Sequence, residues 1–345
     1  MHDHHTCRSG RRIRHLPGML VAIVLGVCTV AGAADEHGGT EALFPVRIAL
    51  QWLPQSQFAG YYMASEQGFY RAAGLDVKLL HAGPGPSSLD FLVEDRAEFC
   101  TMFLGDAIVY AREPVALAHA AQFVQRSSLM LVGWKDMGIE TPADLDGKRI
   151  SYWPGTFSIA FTAFFHQYGI QPKVLPQHHS VNLFLHRGVA ACAAMYYNEY
   201  HRIYQAGYDY DQLTLFLMRD YGLGFPEDGL YTSVETAARH PEVCRALRRA
   251  TLAGWEYARQ HPEEAIDAVL RASRRVGVPA NRPHSRWMLE HVLVSIFPTE
   301  NDVVPGRLER CRYQETVQAL VGAGLIDDAP PFDAFFPVAL QEEVP

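Results

Sequence analysis

Five short stretches carry side chains suited to holding a flat molecule: "QWLPQSQF", "HAGPGPSS", "FLGDA", "WPGT" and "YYNEY". Trp52, Trp153 and Tyr197 offer apolar ring faces on which an aromatic ligand stacks. Gln57 and Asn198 each present a donor and an acceptor, as the edge of a heterocycle demands. Glu199 and Asp106 accept from an exocyclic amine. Phe58 and Tyr61 add ring surface to one wall, and Gly155 and Thr156 follow Trp153 directly. Some of these have ordinary uses too: Asn198 as a helix cap, Glu199 and Asp106 as first-turn carboxylates on a helix dipole. What favours a site is their recurrence at the same kind of place in both halves of the chain. The histidines are scattered, His178–His179 have no spaced third ligand, and no G-x-S-x-G surrounds a serine. Neither catalysis nor a metal nor a cofactor is expected.

The elements that position these residues alternate. From Val46, "VRIALQWL", "LDVKLLHAG", "AEFCTMF" and "VALAHAAQF" read as strands, separated by helical patterns that include "PSSLDFLVEDR", with Ser87 or Ser88 as cap. A second series follows "SSLMLVGW": strands "RISYWPG", "KVLPQH", "VAACAAMYY" and "DQLTLFLM", with helices between them, one opening at Asn198. Such alternation indicates βαβ units and parallel sheets. Beyond "DGLYTSVE" the chain is helical. Two α/β series and a helical tail predict two lobes joined by crossings at 127–133 and 229–235. The expected layout is 45–130 for the first part of lobe 1, 131–230 for lobe 2, and 231–345 returning to lobe 1. Strand C-terminal ends then face a ligand cleft between the lobes.

Residues 1–33 stand apart. Arg8, Arg11, Arg12 and Arg14 precede the apolar run "MLVAIVLGVCTV" and the small-residue end "AGA", the layout of a signal peptide cut after Ala33. Export to the periplasm is therefore expected. The formal net charge of −8 becomes −11 once four arginines and one aspartate leave with that segment, which argues against a nucleic-acid partner. The remaining cysteines, Cys100, Cys192, Cys244 and Cys311, lie in apolar or helical patterns and are expected as buried free thiols.

"LQWLPQSQFAGYYMASEQGFYRAAGLDV" and "DGLYTSVETAARHPEVCRALRRATLAGWEYARQHPEEAIDAVL" resemble bacterial solute-binding proteins related to the fungal thiamine-pyrimidine synthase. The likeness runs from about Val46 to Leu270 and includes "WPGT" and "YYNE" in order. It implies a type II two-lobe periplasmic binding protein fold. It also implies a monomeric subunit that delivers a small ligand, such as a thiamine pyrimidine precursor, to an ABC permease in the inner membrane. Some relatives serve instead as sensor partners of signalling proteins. The chain departs from the fungal enzyme where that protein carries an Asn-His pair: here stand Gln57 and Phe58. Cys192 is alone where the enzyme has a cysteine-dense run, and no lysine lies between Arg47 and Val77. The resemblance therefore points to binding and away from synthesis.

Overall fold

The computed structural model describes residues 42–299 and 303–341. The expected signal peptide, 1–33, lies outside the described residues. Ten strands are present among them: β1 Phe44–Leu50, β2 Leu75–His81, β3 Phe99–Met102, β4 Leu117–Val124, β5 Leu129–Trp134, β6 Arg149–Tyr152, β7 Lys173–Pro176, β8 Ala191–Met195, β9 Leu213–Leu217 and β10 Glu227–Ser233. They form two five-stranded sheets, β2-β1-β3-β10-β4 in the first lobe and β7-β6-β8-β5-β9 in the second.

The sheets are mixed, not parallel as the alternating pattern predicts. β1 runs parallel to β2 and β3, and β6 runs parallel to β7 and β8. β10, however, is antiparallel to β3 and β4, and β5 is antiparallel to β8 and β9. Both exceptions are the strands by which the chain enters a lobe from the other lobe. Each arrives at the cleft-facing end of the sheet and so runs against its neighbours. The expected crossings at 127–133 and 229–235 thus fall largely inside β5 and β10. The chain passes between lobes at 125–128 and 222–226, and β10 already belongs to the first sheet.

Burial follows the strand periodicity. Every residue of β3, β4, β5 and β8 is buried. Along β5, Leu129 and Leu131 face one core while Met130, Val132 and Trp134 face another, the period of two that a doubly covered sheet requires. Cys100, Cys192 and Cys244 are buried free thiols, whereas Cys311 is partly exposed, against the expectation that all four are buried. Ser87 caps the Ser88–Val93 helix: the Asp90 amide donates to its Oγ at 3.2 Å, and the Ser87 amide donates to Asp90 Oδ2 at 2.6 Å.

The helical tail packs on the first lobe. The Pro241–Gln260 helix starts with proline, which needs no amide partner there, and buries Val243, Leu247, Ala250, Gly254 and Ala258 at spacings of three and four. That stripe lies on the Ala59–Glu66 helix. Among the described residues no helix is long and apolar enough to cross a membrane.

The two crossings are tied together by Glu227. Its carboxylate accepts from the Ser128 amide at 2.7 Å, Ser127 Oγ at 2.9 Å and Ser128 Oγ at 3.2 Å. Burial, opposed by these bonds, pushes its carboxyl up to about 7. Between the ordinary carboxyl range and that value the folded chain holds a proton that the unfolded chain has released. This residue's share of stability therefore falls as pH rises through that window, by up to ~3 kcal/mol. Glu227→Gln keeps an acceptor and a donor for the serines and should flatten the fall. Thermal melts at pH 5 and pH 8 check this: parallel profiles for the two proteins would remove Glu227 from the account.

Candidate ligand-binding site

Four strand ends converge between the sheets. β1 leads to Trp52 and then to the tight turn Ser56–Phe58 that opens the Ala59–Glu66 helix. β3 leads to Phe103, which starts the Leu104–Val109 helix. In the second lobe β6 leads to Trp153 and the turn Gly155–Phe157, and β8 leads to the wide π-helical turn Tyr196–Tyr200. Gly155 has φ of 71°, a left-handed conformation that lets the chain fold back beneath Trp153.

The cavity these ends enclose measures about 30 Å³. Trp52, Gln55, Gln57 and Phe103 line it from the first lobe, and Trp153, Phe157, Met195, Tyr197, Asn198 and Glu199 from the second. The rings meet one another edge to face. Trp52 lies 5.4 Å from Phe157 and 6.4 Å from Trp153 between centroids, and Phe103 lies 5.4 Å from Phe157. Both tryptophans are anchored from behind. Trp153 Nε1 donates to the His178 carbonyl at 2.9 Å, and His81 Nδ1 donates to the Trp52 carbonyl at 2.8 Å. That bond leaves His81 Nε2 to accept from Tyr62 at 3.1 Å, and burial lowers the pKa of the imidazole, favouring its neutral form.

One side of the cavity is a chain of amides crossing between the lobes. Gln57 Oε1 accepts from Gln55 at 2.6 Å and from the Tyr197 hydroxyl at 3.4 Å. Its amide nitrogen approaches Asp228, which also accepts from Gln51. Asn198 Nδ2 donates to Gln55 at 3.2 Å and to Glu199 Oε1 at 2.7 Å. His284 Nε2, from the helical tail, donates to Asn198 Oδ1 at 3.0 Å. Asn198 is thus no helix cap: it sits inside the Tyr196–Tyr200 turn, where its side chain has been turned across the cleft. Glu199 Oε2 accepts from the Met195 amide at 3.0 Å, so both of its oxygens already have partners. Burial raises its carboxyl from the ordinary range.

The sequence-derived candidates separate accordingly. Trp52, Gln57, Trp153, Tyr197, Asn198 and Glu199 are brought together around the cavity. Gly155 lines an adjoining outer chamber of about 480 Å³, walled also by Trp52, Pro84, Ser87, Trp153 and Phe157. Thr156 lies in the same turn. Asp106 lines a third, small cavity behind Phe103 and Phe157. Phe58 and Tyr61 are not cavity walls. Both are buried in the first lobe's core, Phe58 against Tyr61 and His81, and Tyr61 against Phe123. Gln57 faces the cleft at the start of the helix, which turns the next residues onto the sheet. Gln55, Phe103, Phe157, Met195 and Asp228 were not anticipated. Phe103 and Phe157 stood beside "GDA" and "WPG", so their position at strand ends was readable. Asp228, with φ of 44°, depends on backbone strain that no motif announces.

Glu199→Gln tests this side of the site. The new amide nitrogen must face either the Met195 amide or Asn198 Nδ2, both donors. One buried donor is then left unpaired, at a cost of about 1–3 kcal/mol. Thermal stability and ligand affinity should fall together, the affinity by at least about tenfold. Unchanged melting and unchanged titration would release Glu199 from this role.

Two α/β lobes joined by two crossing segments, with a ring-lined cavity and an open outer chamber at the strand ends between them, define the periplasmic-binding-protein class of fold. Residues 55–265 match the NMT1/THI5 like family, and the chain belongs to it. It is 24% identical over 263 residues to the formylaminopyrimidine-binding protein of Halalkalibacterium halodurans, an alignment covering 73% of this chain and 76% of that protein. Among solved structures it resembles the ligand-binding component of an ABC-type import system from Staphylococcus aureus (TM-score 0.62, 12% identity, 87% of this chain and 98% of that one). It also resembles the periplasmic aliphatic sulphonate binding protein SsuA from Escherichia coli (TM-score 0.61, 13% identity, 87% and 99%).

Proposed function

We propose that this chain is the exported substrate-binding subunit of an ABC importer, and that it captures a small planar heteroaromatic solute of the thiamine-pyrimidine-precursor kind. The observation that carries this reading is the ring-lined cavity itself. Trp52 and Phe103 approach from one lobe, Trp153 and Phe157 from the other, with a row of amides along one edge. Rings at 5–6 Å, edge to face, separate to accept a flat molecule between them when the lobes part. Gln57, Asn198 and Glu199 then meet its polar edge. The family membership and the named pyrimidine-binding relative support the ligand class. In this reading residues 1–33 are removed on export, the working unit is a monomer, and the closed form is what an inner-membrane permease recognises. The groups around the cavity are engaged in orienting one another, which suits binding rather than turnover.

Titration of the protein with 4-amino-5-hydroxymethyl-2-methylpyrimidine and its formylamino analogue, followed by tryptophan fluorescence, tests the proposal. We expect saturable one-to-one quenching by at least one of them. A flat titration with both, alongside saturable binding of an aliphatic sulfonate, would overturn it.

A further inference from the structure

Asp106 stands apart from the hydrogen-bonded carboxylates of the site. It is 3% exposed, and its Oδ1 has no hydrogen-bond partner among the described residues. It lines a cavity of about 10 Å³, the room of about one water or one ammonium group. Phe103 and Phe157 wall this cavity on one side and the ring-lined cavity on the other. They come from different lobes, so the pair that separates the two spaces is itself an inter-lobe contact. Parting the lobes joins the spaces into one.

The acidic side chains stand at the walls of these cavities, and the guanidinium of Arg202 lies behind Asn198 in a neighbouring cavity. Among the described residues no lysine or arginine lines the ring-lined cavity, the Asp106 cavity or the outer chamber. Glu199 lines the first, Asp106 the second and Asp90 the third, and Asp228 lies just behind Gln57. The Leu104–Val109 helix begins at this wall, but Asp106 occupies its first turn and places a carboxyl where an anion would otherwise gain from the helix end. A buried anionic ligand in the ring-lined or Asp106 cavity meets carboxyl groups at its walls, with the Arg202 guanidinium outside both.

We propose that Asp106 sets the charge specificity of the site: it receives a protonated or strongly N–H-donating nitrogen on a substituent of the bound ring, and the cleft rejects sulfonates, phosphates and carboxylates. This rests on the proposed function above and narrows its ligand class to neutral or cationic nitrogen heterocycles. An arriving ammonium supplies the partner that Oδ1 lacks and offsets the burial that holds the Asp106 carboxyl well above its usual range.

The test is calorimetric titration with two matched series. One is a 4-aminopyrimidine bearing aminomethyl, hydroxymethyl or phosphooxymethyl at C5; the other is benzylamine, benzyl alcohol and benzyl phosphate. We expect the amine of a series to bind at least about tenfold more tightly than its alcohol, and the phosphate not to bind. Asp106→Asn should bring the amine down to the affinity of the alcohol while melting no lower than wild type, since it removes a carboxyl with an unpartnered oxygen. If the pyrimidine alcohol or phosphate equals the amine, or if Asp106→Asn weakens amine and alcohol alike, the charge inference falls and the pyrimidine reading stands. If the benzyl series alone binds, amine first, the charge inference stands and the pyrimidine reading falls. If neither series binds, both fall.

Discussion

Gly254→Ala should lower the melting temperature by on the order of 5 °C, the equivalent of roughly 3 kcal/mol. A methyl group at this position would lie 2.1 Å from the Gly60 carbonyl oxygen and 2.7 Å from the Ala64 amide nitrogen. These are backbone atoms of the facing helix and cannot rotate away as a side-chain tip would. The contact is reciprocal: a methyl group on Gly60 would meet the indole ring of Trp255 at 2.2 Å. The two glycines within the facing apolar stripes of these helices are therefore the points where those helices touch. The Ala59–Glu66 helix begins two residues after Gln57, so pushing it outward also loosens one wall of the site. Gly322→Ala is the control. It lies at a helix end with nothing within 4 Å of the added methyl, and should be neutral or stabilising by up to ~1 kcal/mol. Equal melting of the two variants would show that the close approach is not what fixes this helix pair.

Trp153→Ala should weaken binding of the ligand by about 1–3 kcal/mol, or roughly fivefold to more than a hundredfold. The ring is 5% exposed, contacts Trp52 and Phe157, and is held in place by its bond to the His178 carbonyl. Its removal takes away stacking surface and one of the ring contacts between the lobes. The distinguishing readout is the rise in melting temperature on adding ligand, which follows affinity by mass action. That rise should collapse in Trp153→Ala and in Trp52→Ala, with a smaller change in the melting of the protein alone. A large loss of stability with an intact ligand-dependent rise would place both rings in the structural core instead.

Much of the architecture was legible because each strand is short, apolar and bounded by turn residues, and because burial on both faces leaves an unbroken apolar run, as in "ACAAM". The direction of β5 and β10 was not legible. A strand's polarity relative to its neighbours is set by how the chain returns between lobes, and its own side chains carry no record of that. The same limit applied at the opening of the Ala59–Glu66 helix. Gln57, Phe58 and Tyr61 look alike as candidates, but one helical turn sends Gln57 to the cleft and Phe58 into the core. Phe103 and Phe157 carry no mark of function in the sequence because a single phenylalanine after a strand is usually packing. Here they pack on each other across the lobe boundary. By residue type alone, Asn198 and Glu199 have separable local and ligand duties. Their mutual bond at 2.7 Å, and their links to Gln55, His284 and the Met195 amide, make those duties one.

The central claim is that rings from two lobes close on a flat nitrogen heterocycle, and native mass spectrometry of the protein purified without refolding tests it most directly. We expect one small ultraviolet-absorbing molecule per chain, released on denaturation and absent from the Trp52→Ala, Trp153→Ala double variant. A bound aliphatic sulfonate or phosphate, or the same molecule retained by the double variant, would contradict the account.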